Sequence, residues 1–433
     1  MDYLTKPQRR RLVLCGLLAA VVVVMALLLT RNIDFRVYWY GATAVFDGSR
    51  PLYGPASGLG FPMHYRYPPV TYLLLWPLSR LPLYWAGVIW MVGAWTAAIA
   101  TAALAIRTER LNLAPHAVVA ACGYLLAYVV LALRSGNVQP YLIAMIFAAL
   151  LLSESHRVAA ASLLGLAITF KIWPVFFLPW FLHRRRRLVL VWLIPVVLLL
   201  WLFPLTIWSP SDYVDLLRQW YRSEFQSATT PSESWYFPGQ SLRGVLLRYL
   251  TAAAPWIPGF PDVHLLSLPP RLVVRAWQAA ASMLYAIACI AMLRCHPSKR
   301  WVWDGLSFSL FTLLEPFCLK SGMISLGPAV LVAAALYSEE RQHVRNSREA
   351  VARRFFLAAC ALSLLGAIAQ YKPLLRLLLA LGLDFYAAVM LLLALLLWAL
   401  SWAPFFEVSG DSRYSRSEAR TTSASTSIVR TEG

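Results

Sequence analysis

Four charged side chains fall where a mostly apolar chain would be expected to avoid them: Asp34, Lys171, Glu315 and Lys320. A charge at membrane depth costs about 2.5–3.5 kcal/mol on insertion scales, so such residues usually carry a task or a partner. Turns that bear amides accompany them, Asn137 and Gln139 in the stretch Arg134 to Pro140 and Gln240 beside Ser241. Acid, base and amide groups delivered to one leaflet from distant parts of a chain form the pattern of a site that handles a lipid-linked polar substrate. Each residue also has a plainer reading. Asp34 could cap a helix that begins at Phe35, and Lys171 could snorkel to the headgroups. Gly136-Asn137 is ordinary turn chemistry. Glu315 and Lys320 could pair with each other across one turn, and His64 suits a hydrogen-bonded loop. Tyr38, Trp39 and Tyr40 could form an interfacial belt. Taken singly, none of them decides a function.

The elements that must position these groups are membrane helices. The chain has 433 residues, 60% of them hydrophobic and only 14% charged, whereas soluble domains run near ~25% charged. Several apolar runs approach the roughly 20 residues that cross a bilayer, so the fold class is all-α and the protein a polytopic integral membrane protein. The short alternating segments of a β-barrel are absent. The net charge of +19 does not point to nucleic acid, because most Lys and Arg sit in short segments between apolar runs, where they act as an orientation signal. The six cysteines (Cys15, Cys122, Cys289, Cys295, Cys318, Cys360) show neither metal-ligand spacing nor a disulfide framework and suit buried, inert thiols.

Charge and parity predict the course of the chain. Residues 1–11 form a basic cytoplasmic N-terminus, and Lys6, Arg9, Arg10 and Arg11 precede an uncleaved first span at 12–30. The first loop, 31–82, then faces outward. It is predicted to hold a short amphipathic helix over 35–46 and an interfacial or re-entrant helix over 67–78. Spans follow at 83–106, 117–133 and 141–152. Residues 158–182 are broken by Lys171 and Pro174, and the basic run 183–187 after them is cytoplasmic, so two half-length helices with Lys171 near their turn are expected. A span at 188–208 leads to a long outer loop, 209–270. Spans at 273–293, 302–317, 323–337, 355–370 and 375–402 bring the total to about eleven. One transmembrane domain thus covers 12–403, and the Ser/Thr/Arg-rich residues 404–433 form a disordered cytoplasmic tail.

The first outer loop carries a recognisable pattern: DFRVYWYGA (34–42), FDGSRPLYG (46–54) and YRYPP (65–69). With GNVQP (136–140), AITFKIWP (167–174) and GQSLRG (239–244), it resembles glycosyltransferase family 87, membrane enzymes of the GT-C fold. The resemblance covers most of residues 10–400. It implies transfer of a hexose, with mannose the family's best-known sugar, from a polyprenyl-phosphate donor to a glycolipid or glycan acceptor on the outer face of the cell membrane. It implies Asp34 as general base and inversion at the anomeric carbon. Lys171 would stabilise the departing phosphate, with Arg66 or Arg243 sharing that role. Tyr65, Tyr67, Asn137, Gln139 and Gln240 would meet sugar hydroxyls, and Lys320 would lie on the acceptor side. The turn at Lys320 departs from the more polar, often His- or Tyr-bearing turn of the family. No Gly-rich nucleotide loop and no carboxylate cluster stands in the sequence, so neither a cofactor nor a metal is expected; the partners are membrane lipid and the two substrates. A transporter or flippase for a lipid-linked sugar is the main alternative. It should show repeat symmetry and a midplane polar site; here only 158–182 is broken. A non-catalytic assembly partner is a third reading.

Overall fold

The computed structural model describes residues 33–47, 52–53, 67–108, 113–182, 186–223, 239–252, 260–294, 300–340, 347–368 and 372–401. The expected first span at 12–30, the loop residues His64, Tyr65 and Arg66, and the tail 404–433 lie outside them. Regular structure among the described residues is helical, with one isolated bridge between Gly239 and Leu319. Among the described residues, seven helical segments are long and apolar enough to cross a membrane, and four shorter apolar helices accompany them. The protein is an all-α polytopic membrane protein.

Two helices on either side of the first connecting stretch come first: α1 (Ile33–Asp47) and α2 (Val70–Ser79), packed on each other. Ten residues rise only about 15 Å, half the hydrocarbon thickness, so α2 cannot cross, as its length predicted. Three helices follow, α3 (Leu83–Thr108), α4 (Pro115–Ser135) and α5 (Gln139–Leu152), then α6 (Arg157–Phe170). Proline at the first turn of α4 and of α5 starts each helix where a missing N–H costs nothing. At Lys171 the backbone becomes extended, with φ −150° and ψ 128°. A 3-10 turn, Trp173–Phe177, and the single turn α7 (Leu178–Phe181) carry the chain back. Pro174 and Pro179 remove the N–H groups that a continuous helix would need. The broken run is therefore two half-length pieces with Lys171 at the turn, as charge parity requires.

Beyond the break stand α8 (Leu188–Leu202), α9 (Pro210–Tyr221), α10 (Leu242–Leu250), α11 (Pro270–Arg294), α12 (Arg300–Leu314), a 3-10 turn (Lys320–Leu326), α13 (Gly327–Glu340), α14 (Ser347–Ile368), α15 (Lys372–Ala380) and α16 (Leu383–Ser401). Side-chain size sorts them into centre and rim. The segment that contains α13 is 94% buried, whereas the α11 segment is 11% buried. Helix α13 is rich in Ala, whose small side chain lets neighbouring backbones come close. On α12, a Cβ at Gly305 would come within 2.8 Å of Val332 on α13. Helix α8 presents large apolar side chains all round, and Val191, Ile194, Leu198 and Leu199 lie exposed, as suits a lipid-facing helix. Helix α14 packs along α16 and also on α4, closing the bundle.

Four boundaries differ from the sequence expectation. Helix α1 begins at Ile33, so Asp34 lies inside the first turn and does not cap a helix starting at Phe35. The span expected over 375–402 is divided into α15 and α16 by a turn at Gly382, where φ is 74°. The connector expected over 339–354 is already helical from Ser347. Helices α5 and α12, expected as full crossings, have 14 and 15 residues. They sit largely inside the bundle, where no lipid thickness has to be matched.

Gly382→Ala is expected to lower the melting temperature in lipid nanodiscs. The left-handed backbone alone costs a side chain about 1–2 kcal/mol, and a Cβ would also meet Val245 at 3.0 Å. Gly123→Ala is the control: nothing lies within 4 Å of a Cβ there, so it should be neutral or slightly stabilising.

Candidate active site

The ends of α4, α6, α12 and α14 and the starts of α5 and α16 gather polar groups on one end of the bundle. Helix α4 stops at Ser135, and Gly136, at φ 70°, turns the chain in the left-handed region that glycine adopts freely. Its N–H returns to the carbonyls of Ala132 and Leu133. The next residue, Asn137, then reaches across to α1, where its Nδ2 donates to Asp34 Oδ2 at 2.9 Å. The backbone N–H of Gln139, one of the free donors at the start of α5, donates to Asn137 Oδ1 at 2.8 Å and fixes which way the amide faces.

Asp34 is held from behind by aromatic packing. Phe35 lies 5.4 Å from the Trp90 ring, and Tyr38 lies 5.6 Å from it. The Trp90 indole N–H donates to the Gly136 carbonyl at 2.8 Å, tying the turn and the helix to the same ring. The Tyr38 and Tyr67 hydroxyls share a hydrogen bond of 2.8 Å. Burial pushes the Asp34 carboxyl above its usual range. Hydrogen bonds from Asn137 and Ser135 and the positive charge of Lys171 pull it down and offset only part of that rise. The Tyr38 phenol is pushed well above its ordinary value by burial, by Tyr67 and by Asp34, so it stays protonated.

Lys171, at the break after α6, donates to Glu315 Oε1 at 2.5 Å. The Glu315 carboxylate supplies the counter-charge of the Lys171 ammonium. A second pair lies nearby. Lys320 Nζ is 3.4 Å from Asp384 Oδ1 and donates to the Gly366 carbonyl at 3.1 Å, and the Tyr128 hydroxyl donates to the same Asp384 oxygen at 2.9 Å. The alternative in which Glu315 and Lys320 pair with each other is not adopted; each has a partner on another helix.

The GQSLRG stretch forms a clamp. Gln240 donates through its backbone N–H to the Cys318 carbonyl at 2.6 Å and through Nε2 to the Leu379 carbonyl at 3.0 Å. Arg248 Nε donates to the Ala380 carbonyl at 3.0 Å, and the Tyr249 hydroxyl to that of Leu381 at 3.0 Å. Three successive carbonyls at the end of α15 are thus capped from α10 and from Gln240, two residues before it, where a helix leaves its acceptors free. Arg243 lies over the rings of Phe317 (5.0 Å) and Trp277 (5.7 Å).

Of the residues expected to touch ligand, the structure joins Asp34 with Asn137 and sets Tyr67 and Lys171 close by. Gln139, Gln240 and Arg243 are buried, and Lys320 is largely so. Gln139 donates to Ser325 at 2.7 Å, Gln240 and Lys320 donate to backbone carbonyls, and Arg243 lies against aromatic rings. Tyr65 and Arg66 lie outside the described residues. Sequence reasoning did not single out Asp384, Tyr128 or Ser135, and it read Tyr38 as part of an interfacial belt. Asp384 was detectable in principle, as a carboxylate opening the last apolar run. Among the described residues, no three His, Cys, Asp or Glu side chains gather as a metal site would require. Directly after the Lys171 break, an apolar cavity of about 420 Å³ opens between Val175, Leu178, Leu190, Leu193 and Tyr285.

Lys320→Met should leave Asp384 charged and buried, a loss of about 3–5 kcal/mol. Lys320→Met combined with Asp384→Asn should recover most of it, as measured by thermal unfolding of the purified protein.

The chain matches the model of glycosyltransferase family 87 over residues 65–266, a little under half its length. No curated protein and no solved structure matches it. The matched stretch holds Asn137, Lys171 and the GQSLRG clamp; Asp34, Glu315, Lys320 and Asp384 lie outside it. Residues 65–266 thus carry the signature of glycosyltransferase family 87, which supports assignment of the chain to that family as a membrane glycosyltransferase.

Proposed function

We propose that this protein transfers a hexose, mannose in the first instance, from a polyprenyl-phosphate donor to a hydroxyl of a glycolipid or glycan acceptor, as an enzyme of the GT-C type. The observation that carries the proposal is the pairing of Asp34 with Asn137 at the end of the bundle where Lys171 also lies. An acceptor hydroxyl is far too weak an acid to ionise near neutrality, so a placed carboxylate takes its proton as the new C–O bond forms. Asp34 is suited to that task, since burial makes it a stronger base than an exposed carboxylate. The acceptor oxygen attacks the anomeric carbon opposite the phosphate, the bond from that carbon to the phosphate oxygen breaks with its electron pair, and the configuration inverts. Negative charge grows on the departing polyprenyl phosphate, and the Lys171 ammonium stabilises it where water is scarce.

The apolar cavity after the Lys171 break is a fitting place for the first isoprene units of the donor. Tyr67 and Asn137 are positioned to meet sugar hydroxyls, Arg66 and Arg243 stand in reserve for the phosphate, and Tyr65 for the sugar. Gln139, Gln240 and Lys320 are assigned a framing part. The proposed orientation follows the basic connectors: N-terminus and tail cytoplasmic, site facing outward, in the cell membrane. The chemistry requires no cofactor, and transfer should persist in the presence of a metal chelator. The proposed partners are the lipid-linked donor, the acceptor and the surrounding lipid, not nucleic acid.

The test supplies purified protein in nanodiscs with radiolabelled polyprenyl-phosphate hexose and mixed lipid acceptors. Asp34→Asn should reduce transfer by roughly 10²–10⁴-fold; equal transfer by wild type and variant would remove Asp34 as the base. The acid limb of the kcat/KM profile should lie above the ordinary carboxylate value of about 4. Asn137→Ala should move that limb to still higher pH, because the lost hydrogen bond favours the ionised form of Asp34.

A further inference from the structure

Glu315 is placed where a carboxylate is least comfortable. It follows the last residue of α12, and its N–H still closes the final turn onto the Phe311 carbonyl at 2.9 Å. The carboxylate therefore sits at the negative end of the helix dipole. Its side chain is only 5% exposed, so water does not solvate it. Both effects oppose an anion there, and the Lys171 ammonium is the group that offsets them.

The pair is asymmetric in a useful way. The Lys171 side chain is 32% exposed against 5% for Glu315, so the lysine is the more open member of the pair. A lysine ammonium has three donors on a flexible four-carbon stem. One donor is committed to Glu315, which pins the stem and leaves two for an anion arriving from the open side. The groups around Lys171 are Glu315 from α12, Cys318 from the segment after it, Tyr67 from the outer loop and Asp34 from α1.

We propose that Glu315 is a positioning residue: it holds the Lys171 ammonium charged and aimed at the place where the departing phosphate of the donor gathers charge. The proposal rests on the donor-phosphate reading of Lys171. It also has a sign that a plain binding role lacks. Glu315 repels a bound phosphate, so its removal should not weaken donor binding; what should be lost is the fixed aim of the cation during bond breaking.

The test has two arms on the full-length protein in nanodiscs. In the first, Lys171 is labelled with an amine-reactive ester across a pH series, and its peptide is quantified by mass spectrometry with the other lysines as internal references. Glu315→Gln should move the Lys171 labelling profile to lower pH by about one unit or more, since the neutral amide no longer favours the ammonium. Glu315→Asp, which keeps the charge on a shorter stem, should leave the profile near that of the wild type. A Glu315→Gln profile that coincides with wild type overturns the proposal, whether or not the protein transfers sugar. In the second arm, both variants should lower kcat roughly tenfold or more, with donor KM unchanged or lowered. A rise in donor KM at constant kcat would overturn the positioning role. Failure of the wild type to transfer any hexose would sink the transferase reading alone, with the labelling arm still deciding the Lys171–Glu315 relationship. If Glu315→Gln does not fold, Glu315→Asp carries the test: full wild-type kcat in that variant would overturn the aim argument.

Discussion

An ionised group taken out of water into a protein interior has to bring its counter-charge with it, and among the described residues three such pairs tie distant helix ends together. Lys171 meets Glu315, Lys320 meets Asp384, and Arg186 meets Asp304 at 3.4 Å. Every pair joins helices far apart in the chain. A lone buried charge costs several kcal/mol, so an arrangement that separated either partner would be heavily disfavoured. Apolar packing makes the bundle compact; the charge pairs select which helix faces which.

The same constraint sets up the site. The groups that form it sit at helix ends, where backbone N–H and carbonyl groups are left over and can be used. Gln139 supplies its free N–H to orient Asn137, and Asn137 in turn orients Asp34. A carboxylate held by the Asn137 amide and Ser135, with the Phe35 and Tyr38 rings packed behind it, pays for its basicity in lost solvation. The fold tolerates this because the pairs around it are satisfied, which is the usual balance between a stable body and a destabilised working group.

Much of the architecture was legible in the sequence because it follows from single-residue physics. Apolar run length gave the helices, Lys171 with Pro174 gave the broken run, and the short apolar stretch before Pro77 and Pro82 gave a helix that does not cross. The split between α15 and α16 was harder to see, since Leu381-Gly382 interrupts an apolar run with little change in composition. Pairings were not legible at all. Nothing in the local sequence distinguishes Lys171 with Glu315 from Glu315 with Lys320, because the choice depends on which helix ends meet. For the same reason the partner of Gln240 was not legible. An amide in a Gly-rich stretch suits a sugar as well as it suits the carbonyl of Leu379, and only the position of α15 brings that carbonyl into reach.

The separation of Lys171 from Glu315, 144 residues, also has a meaning in time. At about 5–20 residues per second, a ribosome needs roughly 7–30 s to deliver the acid after the base. Through that interval the lysine has left the ribosome without its counter-ion, and the break in the chain at Lys171 lets it stay near the interface until its partner arrives. Asp384 comes later still. Asp34 and its partner Asn137 are both made before Lys171, so the proposed base can find its amide well before the cation finds its carboxylate.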